Sequence, residues 1–305
     1  MRTSSGEQRS RRRFMAQDMQ DDAPSYLTTR EVADMLRVKE RKVYDLAAAG
    51  EIPHRRITGK LLFPRDEIMA WIDGPDPARD RPAVLAGSHD PLLDWAVRES
   101  GCGLATLFDG SRDGLERFAG GDAALCGLHL PEPDGWNVQT VAARGLRDCV
   151  LIGWAERSRG LLLAPALRGE IGGIGDLRGR RMVMRQPGAG AAALCERLLD
   201  GAGLTQDDLA PCGGLARTES DAAAAVAAGE ADAALGIEAM ARRFHLEFLP
   251  LTRECFDLLI DRRAYFTDPV QRLLAFCATD ALREKADAMG GYDLAPSGAV
   301  RWLTP

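Results

Sequence analysis

The sequence predicts an α/β protein in two parts, a small winged helix-turn-helix followed by a larger two-lobed α/β domain. Three observations carry this. Residues 26–73 alternate short helical patterns with a hairpin pattern. Gly74-Pro75-Asp76-Pro77 through Arg81-Pro82 is rich in Pro, Gly and charge, as linkers are. From Ala83 onward, short apolar strands alternate with longer helical stretches in two blocks. That alternation predicts βαβ units and a mainly parallel sheet.

In the first part, Thr28 and Thr29 can cap a helix whose first turn holds Glu31. Val32, Ala33, Met35 and Leu36 form its apolar face. After a break at Arg37-Val38-Lys39, a second helix runs from about Glu40 to Ala49, with Val43, Leu46 and Ala47 inward and Gly50 as terminator. Two short helices joined by a tight turn make a helix-turn-helix. The outer side of the second helix offers Arg41, Lys42 and Tyr44, with Lys39 just before it, to a major groove. Tyr44 is equally suited to the core. Ile52–Ile57, Thr58-Gly59 and Lys60–Phe63 read as strand, turn and strand, a basic wing. Arg55, Arg56 and Lys60 there suit phosphate contacts. Pro64, Asp66 and Glu67 open a last helix ending near Trp71.

In the second part, the expected strand–helix pairs begin with Ala83–Ala86 and Pro91–Glu99, then Leu104–Leu107 and Asp113–Ala119, followed by the strand Ala123–Cys126. The second block offers Arg181–Met184 with Ala191–Leu199, and Asp232–Leu235 with Ala239–Phe244. Cys149–Ala155 between the blocks, and Glu254–Ile260 after the second, are expected to cross between two lobes. The alanine-rich run Asp221–Ala228 is a helix former.

Four loops follow predicted strands and open predicted helices: Gly87–Asp90, Asp109–Arg112, Gln186–Gly190 and Thr218–Asp221. Ligands of α/β sheets bind at the carboxyl ends of strands, where helix N-termini favour anions. Ser88 and Ser111 add hydroxyl donors, while Gly188 and Gly190 permit close backbone approach. Ser, Asp and Thr in such loops also serve simply as helix caps, and recurrence in four corresponding places is what points to a site. The expected ligand-binding set is Ser88, His89, Asp109, Gly110, Ser111, Arg185, Gln186, Gly188, Ala189, Gly190, Thr218, Glu219 and Glu238.

The net charge of −6 is unevenly spread: residues 1–25 and 26–73 are each +1, leaving −8 for the rest. A nucleic-acid surface is therefore easier to place at the N-terminus. Residues 1–25, with Arg11, Arg12 and Arg13, read as a disordered basic arm without the apolar segment of a secretory signal. No apolar run is long enough to span a membrane. The seven cysteines are scattered and never form a CxxC pair, which fits small core residues in a reducing cytoplasm better than a metal or redox site.

Tyr26–Ala33, Val43-Tyr44, Gly50–Pro53, Phe63–Ile68 and Trp71-Ile72 resemble the excisionase-like branch of the MerR-type helix-turn-helix family. The resemblance implies duplex DNA as partner, and two half-sites read by a homodimer or higher homo-oligomer. Gly87–Asp90, Gly110-Ser111, Gly114-Leu115, Gly120, Asp122–Ala124, Arg185–Gly190, Gly229–Glu238, Phe256–Leu258 and Gly290–Leu294 resemble type 2 periplasmic-binding-protein domains. More closely, they look like the molybdate-binding-protein-like domain fused to helix-turn-helix segments in bacterial regulators. That resemblance implies two lobes closing over a ligand across residues 83–303. It also implies an oxyanion such as molybdate or tungstate held by Ser hydroxyls, backbone N–H groups and often a Tyr. Here Glu238 and Ala239 follow Gly236-Ile237 where many such binders have Tyr, and Ala189 stands where Ser is common. A carboxylate at 238 opposes an anion unless Arg185 pairs with it. Another oxyanion or a small organic ligand is therefore open.

No HExxH, GxSxG or P-loop occurs. Gly188–Ala193 is formally GxGxxA with Asp207 and Asp208 downstream, which leaves an NAD(P)-linked enzyme as the alternative to a sensor. The expectation is a cytoplasmic, non-enzymatic, ligand-responsive transcriptional regulator without a bound cofactor or metal.

Overall fold

The computed structural model describes residues 25–73 and 80–304. All but the last residue of the expected basic arm, and residues 74–79 of the expected linker, lie outside the described residues. The chain divides into two compact units between Arg79 and Asp80.

In the first unit, β1 (Tyr26–Thr28) leads into α1 (Thr29–Leu36) and α2 (Glu40–Ala48). β2 (Arg55–Ile57) and β3 (Lys60–Pro64) form the wing, and α3 (Arg65–Asp73) follows. Thr28 and Glu31 form a capping box at α1, satisfying N–H groups the helix cannot pair itself. Arg37 at φ 54° turns the chain between the helices. Thr58 at φ 49° and Gly59 at φ 80° make the primed hairpin turn that matches strand twist. β1, which the sequence shows only as a lead-in, pairs antiparallel with β3 and completes a three-stranded sheet. Leu27, Val32, Val43, Ile52, Phe63 and Ile68 close the core, whereas Met35, expected inward, is exposed.

The second unit is built on one long sheet. Its first lobe holds β4 (Val84–Gly87), α4 (Pro91–Glu99), β5 (Ala105–Leu107), α5 (Ser111–Ala119) and β6 (Leu125–Leu128). After the small hairpin β7 (Pro131–Glu132) and β8 (Gly135–Trp136) comes α6 (Val138–Ala142), then β9 (Cys149–Leu163). The second lobe holds β10 (Met182–Arg185), α7 (Gly190–Gly201), β11 (Leu215–Ala216), α8 (Glu219–Ala227), β12 (Ala233–Ile237) and α9 (Glu238–Phe244). β13 (Glu247–Asp261) crosses back to the first lobe. There α10 (Arg262–Tyr265), α11 (Asp268–Cys277) and α12 (Asp280–Met289) precede β14 (Tyr292–Asp293) and β15 (Val300–Leu303).

The sheet order is β11-β10-β12-β9-β13-β6-β4-β5, with β14 and β15 also on β9. Within each lobe the βαβ strands run parallel, as the alternation predicts. β9 and β13 are 15 residues each and serve both lobes. The expected strand ends at Ala155, and the apolar run gives way there to Glu156-Arg157-Ser158-Arg159. The backbone instead continues through those charges, with β13 antiparallel beside it from Asp261↔Cys149 to Glu247↔Leu163. Apolar cores lie on either side: Leu85, Leu93, Trp154 and Phe256 belong to the first lobe, and Leu161, Leu177, Leu199 and Leu235 to the second. Among the cysteines, 102, 126, 149 and 195 are buried and 212, 255 and 277 half-buried, and all are free thiols.

Candidate ligand-binding and DNA-binding sites

On the first unit, Arg41, Lys42 and Tyr44 stand on the exposed side of α2, and Lys39 precedes it, also exposed. Tyr44 is 51% exposed, so it belongs to the surface and not to the core. Arg56 and Lys60 are exposed on the wing. Arg55 is exposed too, but its guanidinium already pairs with Glu67 at 2.8 Å.

In the second unit the four expected loops meet where the lobes join. Ser88 and Ser111 are buried, and their hydroxyls hydrogen-bond each other at 2.8 Å. Ser111 Oγ also accepts from the His129 N–H at 3.1 Å. Neither serine caps a helix: Asp90 caps α4, and Gly110 precedes α5. Close packing fixes this geometry, because a Cβ on Gly114 of α5 would lie 2.2 Å from Gly87 Cα on β4. Thr218, by contrast, caps α8 through the Asp221 N–H, which is the structural role such residues also take.

The Gln186–Gly190 loop is used differently from expectation. Gly188 presents its carbonyl to the opposite lobe, accepting from Arg112 N at 3.2 Å. A Cβ on Gly190 would lie 2.4 Å from His129 O. Gln186 Nε2 donates to Asp109 O at 2.9 Å. The Asp109 side chain sits half-exposed near Arg217, at 3.5 Å. These contacts bring the lobes together. Ala189 precedes α7 and is buried.

At the centre lies a chain of alternating charges that the sequence reading did not assemble. Arg157 joins Asp90 of the first lobe, at 2.8 Å, to Glu254 of β13. Arg159 joins Glu254, at 2.7 Å, to Glu219 of the second lobe, at 3.0 Å. Arg185 ends the chain on Glu219 at 2.8 Å. Asp90, Arg157, Arg159, Glu219 and Glu254 are each at most 1% exposed. The register explains it: Arg157 and Arg159 share one face of β9, and Glu254 is the β13 partner of Arg157. Tyr292 hydroxyl donates to Asp90 at 2.8 Å, so a tyrosine reaches this junction from β14. His129 Nδ1 lies 3.0 Å from Glu254, and its ring stacks on Phe256. Arg157 covers the same Phe256 ring at 4.5 Å.

Burial opposes the charge on Glu219, but Arg159 and Arg185 outweigh it and hold the carboxyl at about 2. Glu254 is likewise held well below the usual carboxylate range, by Arg157 and Arg159 against burial. Burial lowers His129 and His89, which favours neutral imidazoles. Among the described residues, four buried polar atoms around this junction have no partner: Arg157 Nε, Arg159 Nε, Gln186 Oε1 and His89 Nδ1. Glu238 does not join the chain, because its carboxylate pairs with Arg242 at 2.6 Å. Arg185, the partner an anion site would need for Glu238, is committed to Glu219.

Asp90, His129, Arg157, Arg159 and Glu254 escaped the sequence reading. The signal available was Arg157-x-Arg159 inside an apolar strand, with Glu254 in the other crossover strand. An apolar groove of about 880 Å³, lined by Trp154, Tyr265, Phe266 and Val300 among others, borders none of the expected loops.

The family described as PBP superfamily domain matches residues 94–278. The chain belongs to the PBP superfamily. A helix-turn-helix domain family matches residues 26–74. The uncharacterized protein YvgK of Bacillus subtilis (strain 168) is 26% identical over 270 residues, 79% of this chain and 86% of YvgK. A Clostridium perfringens structure, assigned as a phosphate ABC transporter substrate-binding protein and solved with bound phosphate, shares the fold. Its TM-score is 0.51 at 10% identity, over 70% of this chain and 98% of that one. The PBP domain is thus a two-lobed α/β fold, and its pairing with a helix-turn-helix supports a ligand-sensing, DNA-binding regulator in general. Among the described residues, no helix is long and apolar enough to cross a membrane.

Proposed function

We propose that this chain is a DNA-binding transcriptional regulator, acting in the cytoplasm as a homodimer or higher homo-oligomer, whose PBP domain senses a small polar effector at the lobe junction. The observation that carries this is the joining, in one chain, of two features. One is a helix-turn-helix whose second helix exposes Arg41 and Lys42. The other is a lobe junction that buries five charged side chains and leaves polar atoms unpaired. Buried polar groups without partners mark a place where water or a ligand completes the hydrogen bonding.

Of the two effector classes the sequence leaves open, a small anion such as molybdate or tungstate draws support from Ser88, Ser111 and Arg185 at the junction. A small organic molecule draws support from the charge balance there, since three guanidinium groups face three carboxylates. The dinucleotide alternative is disfavoured by the Gly188–Gly190 loop, which packs on the opposite lobe where a pyrophosphate would need to lie.

Selection from a random duplex pool at low salt, followed by fluorescence anisotropy, tests the DNA half. Saturable, salt-sensitive binding is expected, and complete indifference to duplex DNA would refute the regulator reading. A thermal-shift screen of small anions and small organic metabolites tests the other half: an effector at ~100 times its Kd adds ~2.7 kcal/mol of stability.

A further inference from the structure

We propose that the junction selects against free oxyanions and takes a net-neutral polar effector bearing both hydrogen-bond donors and acceptors, with Glu219 as the specificity-determining residue. This rests on the reading of the junction as the effector site.

The first argument is occupancy. The guanidinium groups that could strengthen oxyanion binding beside the Ser88–Ser111 pair include those of Arg159 and Arg185. Glu219, the opening residue of α8, is already there. Its two oxygens accept from Arg159 at 3.2 and 3.0 Å, and one also accepts from Arg185 at 2.8 Å. A two-oxygen carboxylate facing a guanidinium fork satisfies the geometry an oxyanion would otherwise supply. The chain carries its own anion.

The second argument is charge. Along Asp90–Arg157–Glu254–Arg159–Glu219–Arg185, every buried charge has an opposite partner. Two further titratable groups touch the chain, and burial favours the neutral form of both: it lowers His129 and raises Tyr292, whose hydroxyl donates to Asp90. A doubly charged ion entering here adds uncompensated charge beside three carboxylates in a poorly solvated site, which is strongly unfavourable.

The third argument is the sense of the unpaired atoms. Arg157 Nε and Arg159 Nε can only donate. Gln186 Oε1 can only accept, and its orientation is set because Nε2 must donate to the Asp109 carbonyl. A fully deprotonated oxyanion has nothing to give Gln186 Oε1. A molecule carrying hydroxyl or ammonium groups beside carbonyl or carboxylate oxygens answers both kinds of atom. The Ser88–Ser111 hydroxyl pair, able to donate or accept, suits the same ligand.

The test uses the full chain and four probes: molybdate, sulfate, a panel of free amino acids and a panel of sugars. Binding is read by calorimetry and thermal shift. Wild type is expected to ignore molybdate and sulfate and to respond to a member of the neutral panels. Glu219→Gln removes one negative charge and is expected to gain saturable one-to-one binding of molybdate or sulfate, about tenfold or more tighter than wild type. Glu219→Asp keeps the charge and is expected to stay silent toward both ions, which separates charge from packing. Saturable molybdate or sulfate binding by wild type overturns the proposal, and needs no variant to fold. An anion-silent, folded Glu219→Gln overturns it too, as does silence of wild type toward both neutral panels. The regulator reading fails separately, through the absence of DNA binding.

Discussion

Glu219 and Arg159 meet through both carboxylate oxygens, at 3.2 and 3.0 Å, although they are 60 residues apart and lie on a lobe helix and a crossover strand. The pair therefore ties the second lobe to the strands that run through both lobes. Glu254 extends the tie to Arg157 and so to Asp90 of the first lobe.

Removing one member of this chain should cost far more than removing an exposed pair. Arg159→Ala leaves Glu219 and Glu254 each short of a buried partner, and breaking a buried pair this way costs about 3–5 kcal/mol. Arg98→Ala breaks an exposed pair with Asp94, at 2.9 Å, and should cost less than about 1 kcal/mol. Urea denaturation of the two variants checks the contrast. Equal losses would show that burial of the chain contributes nothing.

Ser111→Ala should destabilise the protein more than Ser88→Ala. The Ser111 hydroxyl accepts from the buried His129 N–H as well as bonding Ser88, so its loss leaves a buried donor unpaired at a cost of about 1–3 kcal/mol. Both variants should also weaken effector binding, by roughly tenfold or more where a hydroxyl bonds a charged group. Chemical denaturation gives the first comparison and calorimetry with the identified effector the second.

On the DNA side, Lys42→Ala, Arg56→Ala and Lys60→Ala should each weaken binding to all sequences and flatten the salt slope by about one unit. Arg55→Ala should do less, because Glu67 already holds that guanidinium. Glu67→Ala frees Arg55 and should tighten binding. Anisotropy titrations across a salt series distinguish these, and an Arg55 effect equal to the others would mean the ion pair does not persist on DNA.

Acid should open the lobe junction before it unfolds the helix-turn-helix. Glu219 sits at about 2 in the folded protein against an ordinary 4.5, so its contribution is complete above 4.5 and is lost as pH falls toward 2. A shift of that size corresponds to about 3 kcal/mol. Asp257 acts in the opposite sense: burial raises it to about 6 from an ordinary 3.8, so the folded state keeps its proton longer and gains stability as pH falls from 6 toward 4. As pH falls from 7 to 3, denaturation midpoints should therefore first rise and then drop. Asp257→Asn should remove the rise and Glu219→Gln should diminish the drop.

The features legible before folding were local. The Thr28–Glu31 capping box, the Thr58-Gly59 turn, the helical spacing of Val32, Ala33 and Leu36, and the strand–helix alternation after Ala83 all rest on neighbours a few residues apart. Those signals reached the winged helix-turn-helix, the two-lobed α/β class and the loops that meet at the lobe junction. Tertiary structure alone decided what fills that junction. Arg157 lies 67 residues from Asp90 and 97 from Glu254, separations at which no periodicity relates the residues. In sequence, Glu156–Arg159 has the composition of a solvated segment, and the strand was expected to stop before it. Partners from both lobes and from β13 make the burial of Arg157 and Arg159 tolerable, since a buried charge is stable only where opposite charges and hydrogen bonds replace water. The use of Gly188 and Gly190 was settled in the same way. Their freedom to approach another backbone was legible, but that they approach the opposite lobe depended on how the two halves of one sheet curl together.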